Sequence, residues 1–70
     1  MKEQEIKKRI NNFFQDIEDE ETRKNCILYC ESRFEYYKKI YPKVCDSFLI
    51  EQSIQETLYK INGAEMTDDF

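Results

Sequence analysis

The chain has no histidine and no tryptophan, and only one glycine and one proline among its 70 residues. Without histidine it lacks the commonest general base and metal ligand, and with it any catalytic triad or Glu-x-x-His di-iron site that depends on one. A single glycine cannot build a glycine-rich phosphate loop. With only Pro42 and Gly63 to make turns, a multi-stranded sheet is disfavoured and a few long helices are expected. No apolar run approaches the ~20 residues that a membrane-spanning helix needs, and the opening MKEQEIKKRI has no apolar stretch of the kind a secretory signal carries. The three cysteines are an odd number without a disulfide pattern, which points to a reducing, cytoplasmic setting.

What is present suits a small globular domain. The apolar fraction is 40%, with five Phe and five Tyr, and the charged fraction is 37%. A chain this short forms one domain and buries only ~60% of its unfolded surface, so its core is thin. The net charge of −4 is unevenly spread: residues 1–9 carry +2, 10–21 carry −5, 22–45 carry +4 and 46–70 carry −5. Overall acidity opposes non-specific attraction to nucleic acid or to an anionic membrane.

The spacing of apolar residues predicts an all-α fold, a three-helix up-down bundle with helices at about 2–18, 20–40 and 43–61. In the first helix Ile6, Ile10, Phe13, Phe14 and Ile17 recur at helical period against a charged opposite face. Between the first two helices, residues 16–21 hold five carboxylates in six positions. The reading is a helix boundary, with Asp19 as N-cap and Glu20 and Glu21 in the first turn, where the helix dipole favours negative charge; a calcium loop would need a turn glycine that is absent here.

In the middle helix Cys26, Ile27, Tyr29, Cys30, Phe34, Tyr36, Tyr37, Ile40 and Tyr41 cover about half the circumference, more than one partner helix requires. Leu28 is the apolar exception on the charged face. Pro42 ends this helix and is expected to open the third, with Asp46 or Ser47 as a later cap if the turn is longer. The third helix carries a main stripe of Ile50, Ile54, Leu58 and Ile61, with Ser47 and Thr57 on the same side, and a second stripe of Val44, Phe48, Gln55 and Tyr59 roughly 130° away. Gly63 is expected to close it as a C′ residue. The domain is thus expected to span 1–63, with 64–70 as a flexible acidic tail.

Cys26 and Cys30 share a helix face, but Cys45 lies past the turn, and buried free cysteine is a common core residue; no metal site is expected. The run Arg33-Phe34-Glu35-Tyr36-Tyr37-Lys38-Lys39 mixes basic and aromatic residues as single-strand-binding surfaces do, yet helical spacing turns most of the rings inward. The second and third helices superficially resemble a helix-turn-helix, but Asp46, Glu51 and Glu56 on the would-be recognition helix repel phosphate, so no direct nucleic-acid binding is expected. Asp68, Asp69 and Phe70 resemble the acidic, Phe-ended tails of single-stranded DNA-binding proteins, which implies docking into a basic, apolar pocket of a partner. That resemblance covers those three residues and no other part of the chain.

The functional expectation is a small non-enzymatic protein without cofactors that binds another protein through its helical surfaces, as adaptor, inhibitor or regulator. The candidate contact residues are Leu28, Val44, Phe48, Gln55, Tyr59, Asp68, Asp69 and Phe70. Two alternatives stand beside it. One is an acidic mimic of nucleic acid that presents residues 16–21 or the third-helix carboxylates to a basic groove. The other is a self-assembling helical protein, a homo-oligomer built on the second stripe.

Overall fold

The computed structural model describes the backbone from residue 2 to residue 67 and the side chains as far as Ile61. Three helices make up the fold: α1 (Glu3–Phe14), α2 (Glu20–Ile40) and α3 (Asp46–Thr67). They run up, down and up. The Arg9 guanidinium donates to Ser47 Oγ at 3.3 Å, and Phe13 sits beside Ile50 and Ile54, so α1 and α3 are parallel. Lys38 reaches Asp46 across the α2–α3 turn while Lys60 lies over the Tyr29 ring, so α2 is antiparallel to α3. The larger interface is the one between α2 and α3, and α1 packs across the pair.

The start of α2 is the expected one. The Asp19 carboxylate accepts from the Thr22 backbone N–H at 2.9 Å and from its hydroxyl at 2.5 Å, with Glu20 and Glu21 in the first turn. This satisfies an otherwise orphaned N–H and places negative charge on the positive end of the helix dipole. The hydrogen bonds from Thr22, side chain first and then backbone, hold the Asp19 carboxyl below its usual range. A depressed folded-state pKa means that the cap contributes fully above the unfolded value of about 3.9 and is lost as pH falls through the lower folded value. Asp19→Ala should therefore lower the melting temperature at neutral pH, whereas Asp19→Asn, which keeps an acceptor but cannot titrate, should flatten the acid limb of a melting-temperature-against-pH profile. An unchanged acid limb would show that the cap does not carry it.

Three boundaries differ from the sequence expectation, each for a local reason. Helix α1 stops at Phe14 rather than 18, because Asp16 and Glu18 place negative charge at the negative end of the dipole and the last turn has no basic residue. The chain instead turns, with Ile17 N–H bonded to Phe14 C=O at 3.2 Å and Arg23 Nη1 donating to Ile17 C=O at 2.9 Å. Helix α3 starts at Asp46 rather than 43. Pro42 takes the second position of a turn closed by Val44 N–H to Tyr41 C=O at 3.2 Å, and the first helical bond runs from Leu49 N–H to Cys45 C=O. Helix α3 also continues through Gly63 to Thr67. An interior glycine costs a helix only about 1 kcal/mol, and Ala64, Glu65 and Met66 that follow are all good helix formers.

The core is built from Ile10 and Phe14 of α1, Cys26, Cys30 and Phe34 of α2, and Leu49 and Ile50 of α3. Ile6, Ile17, Ile27, Tyr37, Val44, Ile54 and Leu58 pack around it. Two hydroxyls, on Ser53 and Thr57, are fully buried. Each donates to the carbonyl four residues back, Leu49 and Ser53 respectively, at 2.7 Å, so burial leaves neither unpaired. Small side chains meet along this crossing: Thr57 of α3 lies against Cys30 and lines a groove with Cys26 of α2, and Ser53 is buried one turn before it. Small residues at a contact let two helix backbones approach closely.

The inner face of α3 keeps Ile50 and Thr57 of the expected side, with Ile54 and Leu58 packed at its margin, but is turned toward Leu49 and Ser53, and Ser47 is exposed. Ile61 is exposed rather than core. In α2 the expected arc contacts both neighbours, but Tyr36, Ile40 and Tyr41 lie about half exposed instead of inward.

Candidate protein-binding surface

With Ile50, Ser53 and Thr57 inward, helical geometry of about 100° per residue places Phe48, Gln52, Gln55 and Tyr59 together within an arc of about 60° on the far side of α3. All four are exposed. Phe48 keeps 50% of its surface in solvent and Tyr59 keeps 77%. Gln52, Gln55, Glu56 and Tyr59 line a shallow depression on this face. Phe13 of α1, 49% exposed, lies across the α1–α3 groove from Gln55 and extends the apolar surface sideways.

The candidate residues separate into four groups. Phe48, Gln55 and Tyr59 come together on this outer face. Val44 does not join them: it is half-buried and packs against the core. Leu28 is 62% exposed but points away from Cys26 and Cys30 on the opposite side of α2, apart from the α3 row. Asp68, Asp69 and Phe70 lie outside the described residues.

A second surface lies between α2 and α3. A groove of about 330 Å³ between α2 and α3 is lined by Cys26, Tyr29, Thr57 and Ile61, with Lys60 stacked on Tyr29 at 4.4 Å from the ring centroid. Further along the same pair of helices Arg33 bridges to Glu56 at 2.9 Å and lies over the rings of Tyr36 and Tyr37, at 4.6 and 5.0 Å. The Tyr37 hydroxyl also donates to Glu56, and that bond raises the Tyr37 pKa above its ordinary value. These contacts brace α2 against α3. They also engage the basic and aromatic run of α2 internally, so Arg33 and Tyr37 are not presented as a stacking platform. No local sequence signal marks the brace, because Tyr37 and Glu56 lie 19 residues apart.

Among the described residues no helix is long and apolar enough to cross a membrane, and no three His, Cys, Asp or Glu side chains are disposed to hold a metal ion. Cys26 and Cys30 are buried and Cys45 is exposed, all as free thiols. The acidic stretch at 16–21 sits at the α1–α2 corner, where Asp19 serves as the cap described above. Comparison of the chain with protein-family models, with curated proteins and with solved structures finds no match.

Proposed function

We propose that this chain is a non-enzymatic protein that acts by binding another protein through the outer face of α3. The observation that carries this reading is the exposure of Phe48 and Tyr59 on a helix whose opposite face is already committed to the core. A bundle helix needs one apolar stripe to fold, and a second one finds no use within the chain. Exposed aromatic side chains set among polar neighbours are typical anchors of protein interfaces.

The test is site-specific crosslinking. A photoreactive amino acid replaces Tyr59, or Leu28 for comparison, and the full chain is irradiated in nuclease-treated lysate of the source cells. The expected result is one protein captured in stoichiometric amount from position 59 and not from position 28, and lost on Phe48→Lys with helicity unchanged by circular dichroism. Capture that survives Phe48→Lys removes the assignment of this face. A partner released steeply by salt and displaced by nucleic acid would mean electrostatic mimicry instead.

A further inference from the structure

We infer that the partner specified by the outer face of α3 is a second copy of this chain, whose α3 lies antiparallel against the first. The inference rests on reading that face as a protein-binding surface, and it names the occupant.

The first argument is spacing. Phe48, Gln52, Gln55 and Tyr59 are separated by four, three and four residues. This is the alternation with which one helix meshes with another, knobs into holes. The second argument is order. Along the helix the row reads aromatic, amide, amide, aromatic, and it reads the same way backwards. A copy turned end for end about a two-fold axis sets Phe48 against Tyr59 of the second copy, and Gln52 against its Gln55. Ring meets ring at both ends, and amide meets amide in the middle. A glutamine amide both donates and accepts, so the two central layers can pair reciprocally. Among the described residues neither amide side chain is engaged within the chain. Polar layers of this kind fix register and strand number in helix pairs.

Charge selects the antiparallel direction. In a parallel, in-register pair the positions that flank the seam would bring Glu51 against Glu56 of the other copy twice, and facing like charges oppose association. Turned antiparallel, Glu51 and Glu56 fall at the positions of Leu58 and Leu49 of the second copy, both turned toward their own core, while Glu56 keeps its internal ion pair with Arg33. No carboxylate then faces another across the seam.

Size sets the strength. From Phe48 to Tyr59 the seam covers about 16 Å of helix axis. One helix pair of that length buries less than the roughly 1,200–2,000 Å² of a standard stable complex. A weak, reversible dimer is the consequence.

The experiment uses the full chain in sedimentation equilibrium, from a few micromolar to millimolar concentration, with three samples: wild type, Phe48→Lys and Tyr59→Glu. Wild type should move from monomer to dimer and no further. Each substitution should weaken dimerisation by at least about tenfold, because in two layers it replaces a buried ring-on-ring contact with a charge that loses water and gains no opposite charge. Mixing the two variants should restore the dimer, since Lys at position 48 of one chain then meets Glu at position 59 of the other, and the remaining Tyr59 meets Phe48. Both positions are exposed, so circular dichroism should report unchanged helicity. A wild-type chain that stays monomeric overturns the inference, as does a dimer that survives both substitutions. Loss without restoration on mixing overturns the antiparallel register. A monomeric chain whose position 59 still captures a different protein overturns the pairing but leaves the binding face standing; a monomeric chain that captures nothing removes both.

Discussion

Phe14→Ala is expected to leave most of the chain unfolded at room temperature, while Phe13→Ala, one residue away, leaves it folded. Phe14 is 2% exposed and is the largest fully buried side chain among the described residues; Phe13 is 49% exposed. Truncating a buried Phe removes its transfer free energy and leaves a cavity, a cost of about 3–5 kcal/mol. A domain of this size rarely commands more than about 3–5 kcal/mol in total. The two quantities meet, so the variant should show little or no cooperative transition in urea. Phe13 loses an edge-to-face contact with the Phe14 ring, at 5.1 Å between centroids, plus about half of its own burial. Such ring pairs are worth roughly 0.5–1.5 kcal/mol, which lowers the urea midpoint and leaves the transition intact. Equal losses from the two substitutions would mean that α1 does not dock as described.

The comparison of these neighbours shows where sequence reading reached its limit. Both phenylalanines fall on the apolar arc of α1, and period alone cannot rank two adjacent residues within an arc of about 100°. What separates them is how far α1 is rotated between α2 and α3, which is a tertiary quantity. The same holds for α3. Hydropathy selects Ile50, Ile54, Leu58 and Ile61, yet the helix is rotated so that Ser53 joins the expected Thr57 inside and Ile61 faces out. The rotation follows from side-chain size: α2 presents Cys26 and Cys30 at the crossing, and small hydroxyl residues allow a closer fit there than isoleucines would. Their polarity costs little because each hydroxyl bonds its own helix. Where local chemistry decides, the sequence was readable. The Asp19 cap and the Pro42 break bound α2 at both ends, and its limits match expectation at Glu20 and Ile40.

The proposed binding face divides in the same way. Phe48, Gln55 and Tyr59 were recognisable because they form a second row at helical spacing, away from the stripe that a bundle needs. Val44 was grouped with them by wheel angle, but it precedes the first helical residue, Asp46, so the wheel does not apply to it. The wide apolar arc of α2 departs in the opposite sense. Tyr36 and Ile40 share an arc with Cys26 and Cys30, yet α1 and α3 together cover only part of that arc, and the brace of Arg33, Tyr37 and Glu56 closes one side of it. An apolar residue on a wide arc is buried only if a neighbour is there to cover it. In a three-helix bundle this short, the neighbours run out.

The three thiols are expected to divide by reactivity, with Cys45 modified at once by a disulfide reagent and Cys26 and Cys30 modified only when the fold opens. Cys45 lies exposed in the α2–α3 turn, while Cys26 and Cys30 are 5% and 0% exposed. A reagent reaches the buried pair only through unfolding, and for a domain of a few kcal/mol this slows their reaction by a factor on the order of 100 or more. Burial also acts on the chemistry. Desolvation disfavours the thiolate and pushes Cys30 from 9.0 up to about 11, partly offset by the Thr57 hydroxyl, and it raises Cys26 in the same direction. A thiol whose folded-state pKa exceeds its unfolded one adds its full share of stability below the unfolded value near 9.0 and loses it as pH rises toward about 11. Melting temperature should therefore fall across that alkaline window, and Cys30→Ala should flatten the fall without abolishing it, since Tyr37, also raised, titrates in the same direction. The stoichiometry of the fast phase decides the matter. One fast thiol per chain places Cys26 and Cys30 in the α2–α3 crossing; three fast thiols would mean that α2 and α3 do not close over them, and the inward rotation of Ser53 and Thr57 would fall with that contact.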